Sequence, residues 1–368
     1  MREYIKQPTI YVDYGQYMLT RQNILQGISF DQTIPPQANF FGLKDLSTRK
    51  TFTLIAGVES EIKLYGIKAL GKFLNQMNYL AIYGHTLAST QTEIKITATP
   101  QSGTAQNINI LPDSNSGICN NNTASTIKYD GFSLFKLEGN LDDNIIFDTI
   151  SISFISQTNV DLTLDLAGIS IGRSFNFPHR VDLNAKISFD QMDITEARTQ
   201  DGKRITSVNF NGRKKHGLFI PFQNYLQTYN GYYEQNNDMQ ELTMRTSIAN
   251  INFQVSYIDD DLLITNYKLP FDAKGYDEQE TEVIFENSQS VSNIGSYESH
   301  NTLDVLLSIF TYNGQLPFMI NTDLSNKYND NELKNDTFYI VKNKKKSFEF
   351  KPISPQIYNI KFDLVEYS

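Results

Sequence analysis

The sequence has no tryptophan and only one cysteine, Cys119, in 368 residues. A single thiol excludes an intramolecular disulfide and a cysteine-rich zinc centre, so folding must rest on burial. The missing tryptophan, beside plentiful asparagine, reflects the nucleotide bias of a genome as much as physics and decides nothing about function. Long apolar runs are lacking too, and none approaches the roughly 20 residues that cross a bilayer. Met1 to Val12 holds charges and a proline where a signal peptide needs an unbroken apolar core, so the chain is expected to be made in a cytoplasm and to leave it only as part of a particle. Surplus positive charge is also absent. A formal charge of -9 and a pI near 5.1 argue against a phosphate-binding surface, so neither direct nucleic-acid binding nor membrane insertion is expected.

Chemistry-bearing patterns are equally scarce. The four histidines, His85, His179, His216 and His300, show no spacing suited to a metal site. No serine nucleophile elbow, phosphate loop or dinucleotide fingerprint is read. The resulting expectation is a protein that is not an enzyme and takes no cofactor or metal. His85 closes an apolar strand and is read as a side chain hydrogen-bonded to a loop in preference to a ligand or base. Asp259-Asp260-Asp261 is read as a solvated turn between two apolar strands, since calcium coordination needs spaced ligands.

What is present favours strands. With 21 Tyr and 24 Phe, and 40% apolar residues overall, the chain has the side chains for β-structure and enough of them for packed cores. A length of 368 exceeds one ordinary core, so two domains are expected. Residues 1–40 read as an arm, because they hold Pro35-Pro36 and no sustained period. Residues 41–174 carry short strand candidates at Lys50 to Ile55, Glu61 to Tyr65, Tyr79 to Tyr83, Glu93 to Thr97, Phe132 to Leu137, Thr149 to Ile155 and Val160 to Ile171, spaced as in a β-sandwich. Within Thr149 to Phe154 alternation is strict, which predicts Ile150, Ile152 and Phe154 on a buried face and the hydroxyl residues on a wet one. Pro100 to Thr126, poor in large apolar residues, predicts a long surface loop.

The remaining block, 175–368, predicts a β-rich domain with one packed helix. Lys186 to Asp190 and Lys203 to Phe210 flank Asp201-Gly202 and read as a hairpin. Thr302 to Tyr312 places Leu303, Leu306, Leu307 and Phe310 at helical spacing and ends at Asn313-Gly314, a good C-terminal cap. Leu316 to Asn321, Thr337 to Lys342, Ser347 to Lys351 and Gln356 to Glu366 read as closing strands. The fold class is therefore mainly β, a sandwich of jelly-roll or discoidin-like type followed by the second β domain.

Two basic clusters stand out in an acidic chain. Arg213, Lys214 and Lys215 form one, and Lys344, Lys345 and Lys346 the other. Both are interface candidates, though lysines also guard exposed turns and strand edges, which is the plainer reading. The stretch Tyr225 to Tyr233, with Tyr229, Tyr232 and Tyr233, is a third candidate for intersubunit contact or sugar stacking, with ordinary packing as its plainer account.

The run Gly42-Leu43-Lys44-Asp45-Leu46-Ser47-Thr48-Arg49-Lys50-Thr51-Phe52, followed by Asn78 to Leu87 with its Gly84-His85-Thr86-Leu87 end, resembles the opening of discoidin-like (galactose-binding-like) sandwiches of bacteriophage tail structural proteins. Thr86 stands where those proteins commonly have Asn, and Phe52 where Trp is common. Leu166 to Arg173 is similar to the close of that sandwich. Leu316 to Ile320, Phe338 to Val341 and Tyr358 to Tyr367 resemble the final strands of distal-tail or baseplate-type proteins. The resemblance implies a virion tail subunit that joins other tail proteins in a homo-oligomeric ring, adaptor or baseplate. The alternative expectation is a carbohydrate-binding adhesin that contacts host surface glycans.

Overall fold

The computed structural model describes residues 5, 7–20, 27–30, 50–65, 77–100, 103–108, 110–111, 131–137, 147–191, 194–198, 200–208, 247–263, 302–322, 327–328, 332–333 and 338–367. In chain order the strands begin with β1 (Thr9–Asp13), β2 (Gly27–Phe30), β3 (Lys50–Leu54), β4 (Glu59–Tyr65), β5 (Tyr79–His85) and β6 (Thr92–Pro100). They continue with β7 (Gln106–Ile108), β8 (Ile110–Leu111), β9 (Gly131–Leu137), β10 (Phe147–Ser156), β11 (Leu162–Leu166) and β12 (Gly168–Asn176). Next come β13 (Lys186–Gln191), β14 (Ile194–Arg198), β15 (Arg204–Val208), β16 (Ser247–Asp259) and β17 (Phe318–Asn321). The last are β18 (Lys327–Tyr328), β19 (Glu332–Leu333), β20 (Phe338–Asn343), β21 (Glu349–Ser354) and β22 (Ile357–Glu366). Short helical segments are α1 (Tyr14–Thr20), α2 (Asp260–Leu263) and α3 (Leu303–Val305), the last continuing as a π-helical turn through Leu306–Phe310. Among the described residues strand far outweighs helix, so the protein is mainly β.

Ten strands run side by side in one antiparallel sheet, in the order β13-β16-β22-β20-β17-β1-β12-β5-β9-β8, and β21 joins it as an eleventh beside β22. A second sheet, β2-β4-β10-β6-β7, and the pair β3-β11 complete a sandwich-like arrangement. Ile62 and Leu64 of β4, Ile94 and Ile96 of β6, and Ile150 and Ile152 of β10 share a core with Ile82, Ile169 and Ile171 of the large sheet. The same core continues under β16 and β22 through Phe253, Phe362 and Leu364. Phe253 and Phe362 stack with ring centroids 4.7 Å apart.

The joint between the halves of the large sheet is β1, which lies in the segment expected as an arm. It pairs with β12 on one side and β17 on the other, and all five of its residues are buried. Ile10 and Val12 are apolar enough to join the core even though no longer period announces them. The boundary expected between residues 174 and 175 falls inside β12.

Several expectations are corrected by the pairing. β15 does form a hairpin across Asp201-Gly202, with Gly202 at φ +77, but its partner is β14, not the expected strand at Lys186 to Asp190. The latter is β13, which pairs with β16. The single strand expected at Val160 to Ile171 breaks at Ala167, so that β11 pairs β3 while β12 enters the large sheet. The Ala167 N–H is taken by the Tyr83 carbonyl at the break. Within Pro100 to Thr126, expected as loop, β7 and β8 form because Ile108 and Ile110 are buried; residues 112–130 lie outside the described part. Ile150, Ile152 and Phe154 are buried as expected, yet Ser151 and Ser153, expected on a wet face, are buried too. Central β10 sets these small side chains between longer ones, Lys63 and Thr97 beside Ser151, Glu61 and Lys95 beside Ser153.

The helix expected from Thr302 is present over α3 and its π-helical turn, with Leu303, Leu306, Leu307 and Phe310 buried. It stops where Tyr312, Asn313 and Gly314 all adopt positive φ, and the Asn313 N–H returns to the Leu307 carbonyl at 2.9 Å. Phe310 meets Tyr14 and Tyr17 of α1 at 4.4 and 5.0 Å.

Candidate functional site

Lys344, Lys345 and Lys346 occupy a blister on the sheet. β20 and β21 are successive partners of the same strand, β22, with Asn343 opposite Leu364 and Glu349 opposite Lys361. The five residues between them face only two on β22, so the surplus is pushed out of the ladder as in an enlarged bulge. Lys344 holds the ladder through its N–H to the Asp363 carbonyl at 2.9 Å, and its Nζ lies 3.7 Å from Asp363 Oδ1. Lys345 and Lys346 project into water.

The blister is anchored from within. Asn343 Nδ2 donates to the Ser347 carbonyl at 3.1 Å, Asn343 Oδ1 accepts from the Lys345 N–H, and Gln315 Nε2 donates to the Lys345 carbonyl at 2.9 Å. Phe348 is buried 5.4 Å from the Phe362 ring. A Cβ on Gly314 would lie 2.5 Å from Asn343 Cβ and 2.9 Å from Phe348 Cζ, so glycine lets the turn after the helix close against the blister. The three ammonium groups are thus carried on a fixed backbone.

A second bulge lies on the other neighbour of β22. The pairing of β16 slips between Val255, opposite Ile360, and Ile258, opposite Tyr358, leaving Ser256 and Tyr257 against one residue. Tyr257 has φ +61, is 66% exposed, and donates its N–H to Asn359 Oδ1 at 3.4 Å. A bulge re-aims a side chain, here an aromatic ring into solvent. The open side of β21 runs beside this region: among the described residues β21 pairs only with β22, and Lys351, Pro352 and Ile353 are exposed.

A further exposed feature sits at one end of the smaller sheet. Ile55 and Val58, in the turn joining β3 to β4, and Val160, in the loop joining β10 to β11, are 39, 42 and 60% exposed. Asp161 holds the two loops together by accepting the Ala56 N–H at 2.9 Å. Glu59 and Glu93 lie across the adjacent strands, both opposite Ile155. Lys95 reaches Glu59 at 3.9 Å, and Gln157 hydrogen-bonds Glu93.

Among the described residues, Ser170, His85 and Asp13 are buried in the large sheet. Gly168-Ile169-Ser170-Ile171-Gly172 satisfies G-x-S-x-G by letter, which corrects the reading that no such pattern is present. It lies within uninterrupted β12, however, where a nucleophile elbow needs a strand-to-helix turn. Ser170 is fully buried, and its Oγ meets the Tyr79 hydroxyl at 2.9 Å. His85 is fully buried, with Nε2 2.7 Å from Ser133 Oγ and Nδ1 accepting the Leu87 N–H at 3.2 Å. Acceptance at Nδ1 places the ring proton on Nε2, which donates to the serine and cannot act as its base. Asp13 is buried beside Ser170. Loss of water pushes its carboxyl up to about 7, against the pull of the Gln16, Gly15 and Ile171 N–H groups and Ser170. Its Oδ1 accepts the Gln16 N–H at 3.2 Å while Oδ2 lacks a hydrogen bond. Burial raises Tyr79 and Tyr83 as well, and the Asp13 charge adds to it.

Asp259 ends β16 and Asp260 opens α2, its N–H held by the Gln356 carbonyl at 2.8 Å, so a helical turn stands where a second apolar strand is expected to begin. Among the described residues no group of three or more His, Cys, Asp or Glu is disposed to hold a metal. Nor is any helix among them long and apolar enough to cross a membrane.

Of the sequence-derived interface candidates, the structure places Lys344, Lys345 and Lys346 together; Arg213, Lys214, Lys215, Tyr229, Tyr232 and Tyr233 lie outside the described residues. Sequence reading missed Tyr257 and the aliphatic tip. The former had a signal in the alternation Ile251, Phe253, Val255, which breaks at Tyr257-Ile258 and so betrays the bulge. No family model matches the chain, and no curated protein matches it either.

Proposed function

We propose that the chain is a non-enzymatic structural subunit of a bacteriophage virion tail, assembling with itself and with other tail proteins in a ring, adaptor or baseplate. The observation that carries this reading is the anchored lysine blister beside the open side of β21. Lysines that only keep a strand edge soluble have no need of a fixed backbone, whereas a docking surface gains from one because less entropy is lost on contact. The resemblance supplies the tail assignment. Its first string, Gly42 to Phe52, lies mostly outside the described residues and ends in β3, outside the large sheet, whereas the others fall chiefly on β5, β12, β17, β20 and β22, which, with β1, are consecutive in that sheet. The burial of Ser170 and His85, and the tautomer of the latter, fit a role without hydrolytic chemistry.

For the alternative, an adhesin that stacks sugar rings, the exposed loop end would need flat aromatic platforms. The described loop end carries Ile55, Val58 and Val160 instead, which fit apolar protein surface better than a pyranose face. Peptide mass spectrometry of purified particles from cells encoding the chain tests the proposal. Its peptides are expected in tail fractions at a fixed ratio to other tail proteins, and their absence from particles overturns it.

A further inference from the structure

Two patches at different places on the chain are complementary in both charge and polarity. The first lies on the solvent face of β22 and its neighbours. Tyr257 sits beside Asn359, and Lys344 sits beside Asp363, four residues on, which is about 13 Å along a strand. Lys345, Lys346, Lys351 and Lys361 are exposed in the same region, with Asp182, Asp259, Glu349 and Asp363 as the acids among them. The balance is cationic in a chain whose total charge is -9. The second patch is the tip formed by Ile55, Val58 and Val160, bordered by Glu59, Glu93 and Asp161, with Lys95 as the base beside Glu59. Its balance is anionic.

Each patch is fixed before any partner arrives. Tyr257 is held at φ +61, a conformation unfavourable for a residue with a side chain, which persists only where the surrounding ladder enforces it. The aliphatic tip is pinned by Asp161 and by the Val58 N–H to Ile55 carbonyl bond at 3.1 Å. Covering such fixed aliphatic side chains removes apolar surface from water at little cost in entropy.

We infer that the Tyr257–lysine patch of one copy docks onto the acid-bordered Ile55, Val58 and Val160 tip of the next copy. The aromatic ring meets the aliphatic side chains, and the lysines meet the carboxylates. Because the two patches are different surfaces of one chain, the contact is heterologous, and repetition of it generates a ring when the rotation closes. This inference rests on the assembly reading above and adds its contact faces. An anionic membrane is a poor occupant of the tip, since its headgroups would meet Glu59, Glu93 and Asp161. A glycan would find there no aromatic ring among the described residues.

Charge reversal tests the pairing in the full chain. Sedimentation velocity over a range of concentrations, at low and at moderate salt, reads the association. Wild type is expected to form a closed oligomer that weakens with salt. Lys345→Glu with Lys346→Glu, and separately Glu59→Lys with Glu93→Lys, are each expected to weaken association at least tenfold, and all four changes together are expected to restore it. Tyr257→Ala is expected to weaken it in either background. Circular dichroism checks that each variant remains folded. A wild type that stays monomeric, single-side variants that associate like wild type, or a fourfold variant that fails to recover each overturns the inference. Detection of the chain in tail fractions reads the assembly role separately, so a monomeric protein found in particles would remove this contact and leave that role standing.

Discussion

Gly172 and the Val12 carbonyl meet so closely that a Cβ on Gly172 would lie 2.1 Å from the Val12 oxygen and 3.0 Å from the Tyr14 nitrogen. Both atoms are backbone, held by the pairing of β1 with β12, so neither swings away as a side-chain end would. Gly172→Ala is expected to destabilise the fold by about 3 kcal/mol through overpacking at this seam. Gly57 provides the comparison, because an added Cβ there meets open space and the change costs only the strain of its φ of +70. Urea denaturation of both variants checks the order; equal losses would show that the seam has slack.

Asp13 makes stability depend on pH with a definite sign. Its carboxyl moves from an ordinary 3.8 to about 7 in the folded protein, so folding favours the protonated form. The advantage is complete below pH 3.8, shrinks as pH rises towards 7, and is lost above it, a span of about 4 kcal/mol at 1.36 kcal/mol per unit. Asp13→Asn retains an oxygen for the Gln16 N–H and removes the titration. The variant is expected to exceed wild type in stability at pH 8, with the difference shrinking steadily towards pH 4.5. Parallel stability curves for the two proteins would contradict the assignment.

Gly314 and Phe348 govern the lysine blister. Gly314→Ala puts a methyl group against Asn343 and Phe348 at a φ of +78, so the bonds that fix Lys345 should loosen. Overpacking of this kind costs roughly 1–3 kcal/mol. Brief trypsin treatment should then cut after Lys345 or Lys346 several-fold faster than in wild type, and an unchanged cleavage rate would show that the anchor lies elsewhere.

Phe362 is the centre of the aromatic packing under the second half of the large sheet. Its ring lies 4.7 Å from Phe253, 5.6 Å from Phe177 and 5.4 Å from Phe348. Phe362→Ala is expected to cost about 3–5 kcal/mol, the range for emptying a buried aromatic site, visible as a lower urea midpoint. A loss under 1 kcal/mol would mean that the neighbours collapse into the space.

Much of the local structure was legible. Alternating Ile150, Ile152 and Phe154, and the spaced leucines before Asn313-Gly314, located a central strand and the packed helix because burial selects a repeat of two or of 3.6 residues. Strand β16, Ser247–Asp259, is expected only as an apolar strand of no stated length before Asp259, although Ile251, Phe253 and Val255 alternate with Asn252 and Gln254. The candidate site was half legible: the lysines were named, while their anchoring by Asn343 and Gln315, and the partnership with Tyr257, depend on which strands lie on either side of β22.

The sequence by itself determined that the chain would be built of short strands, where many of them run, and which side chains face inward along most of them. These properties follow from local spacing and from the preference of apolar groups to leave water. Only the tertiary structure decided that β1 joins the two halves, that β13 seeks β16 and not the nearby β15, and that Tyr257 and Lys344 share a face. Pairing of distant strands is chosen by the total fit of many side chains at once, and no short stretch of residues carries that sum.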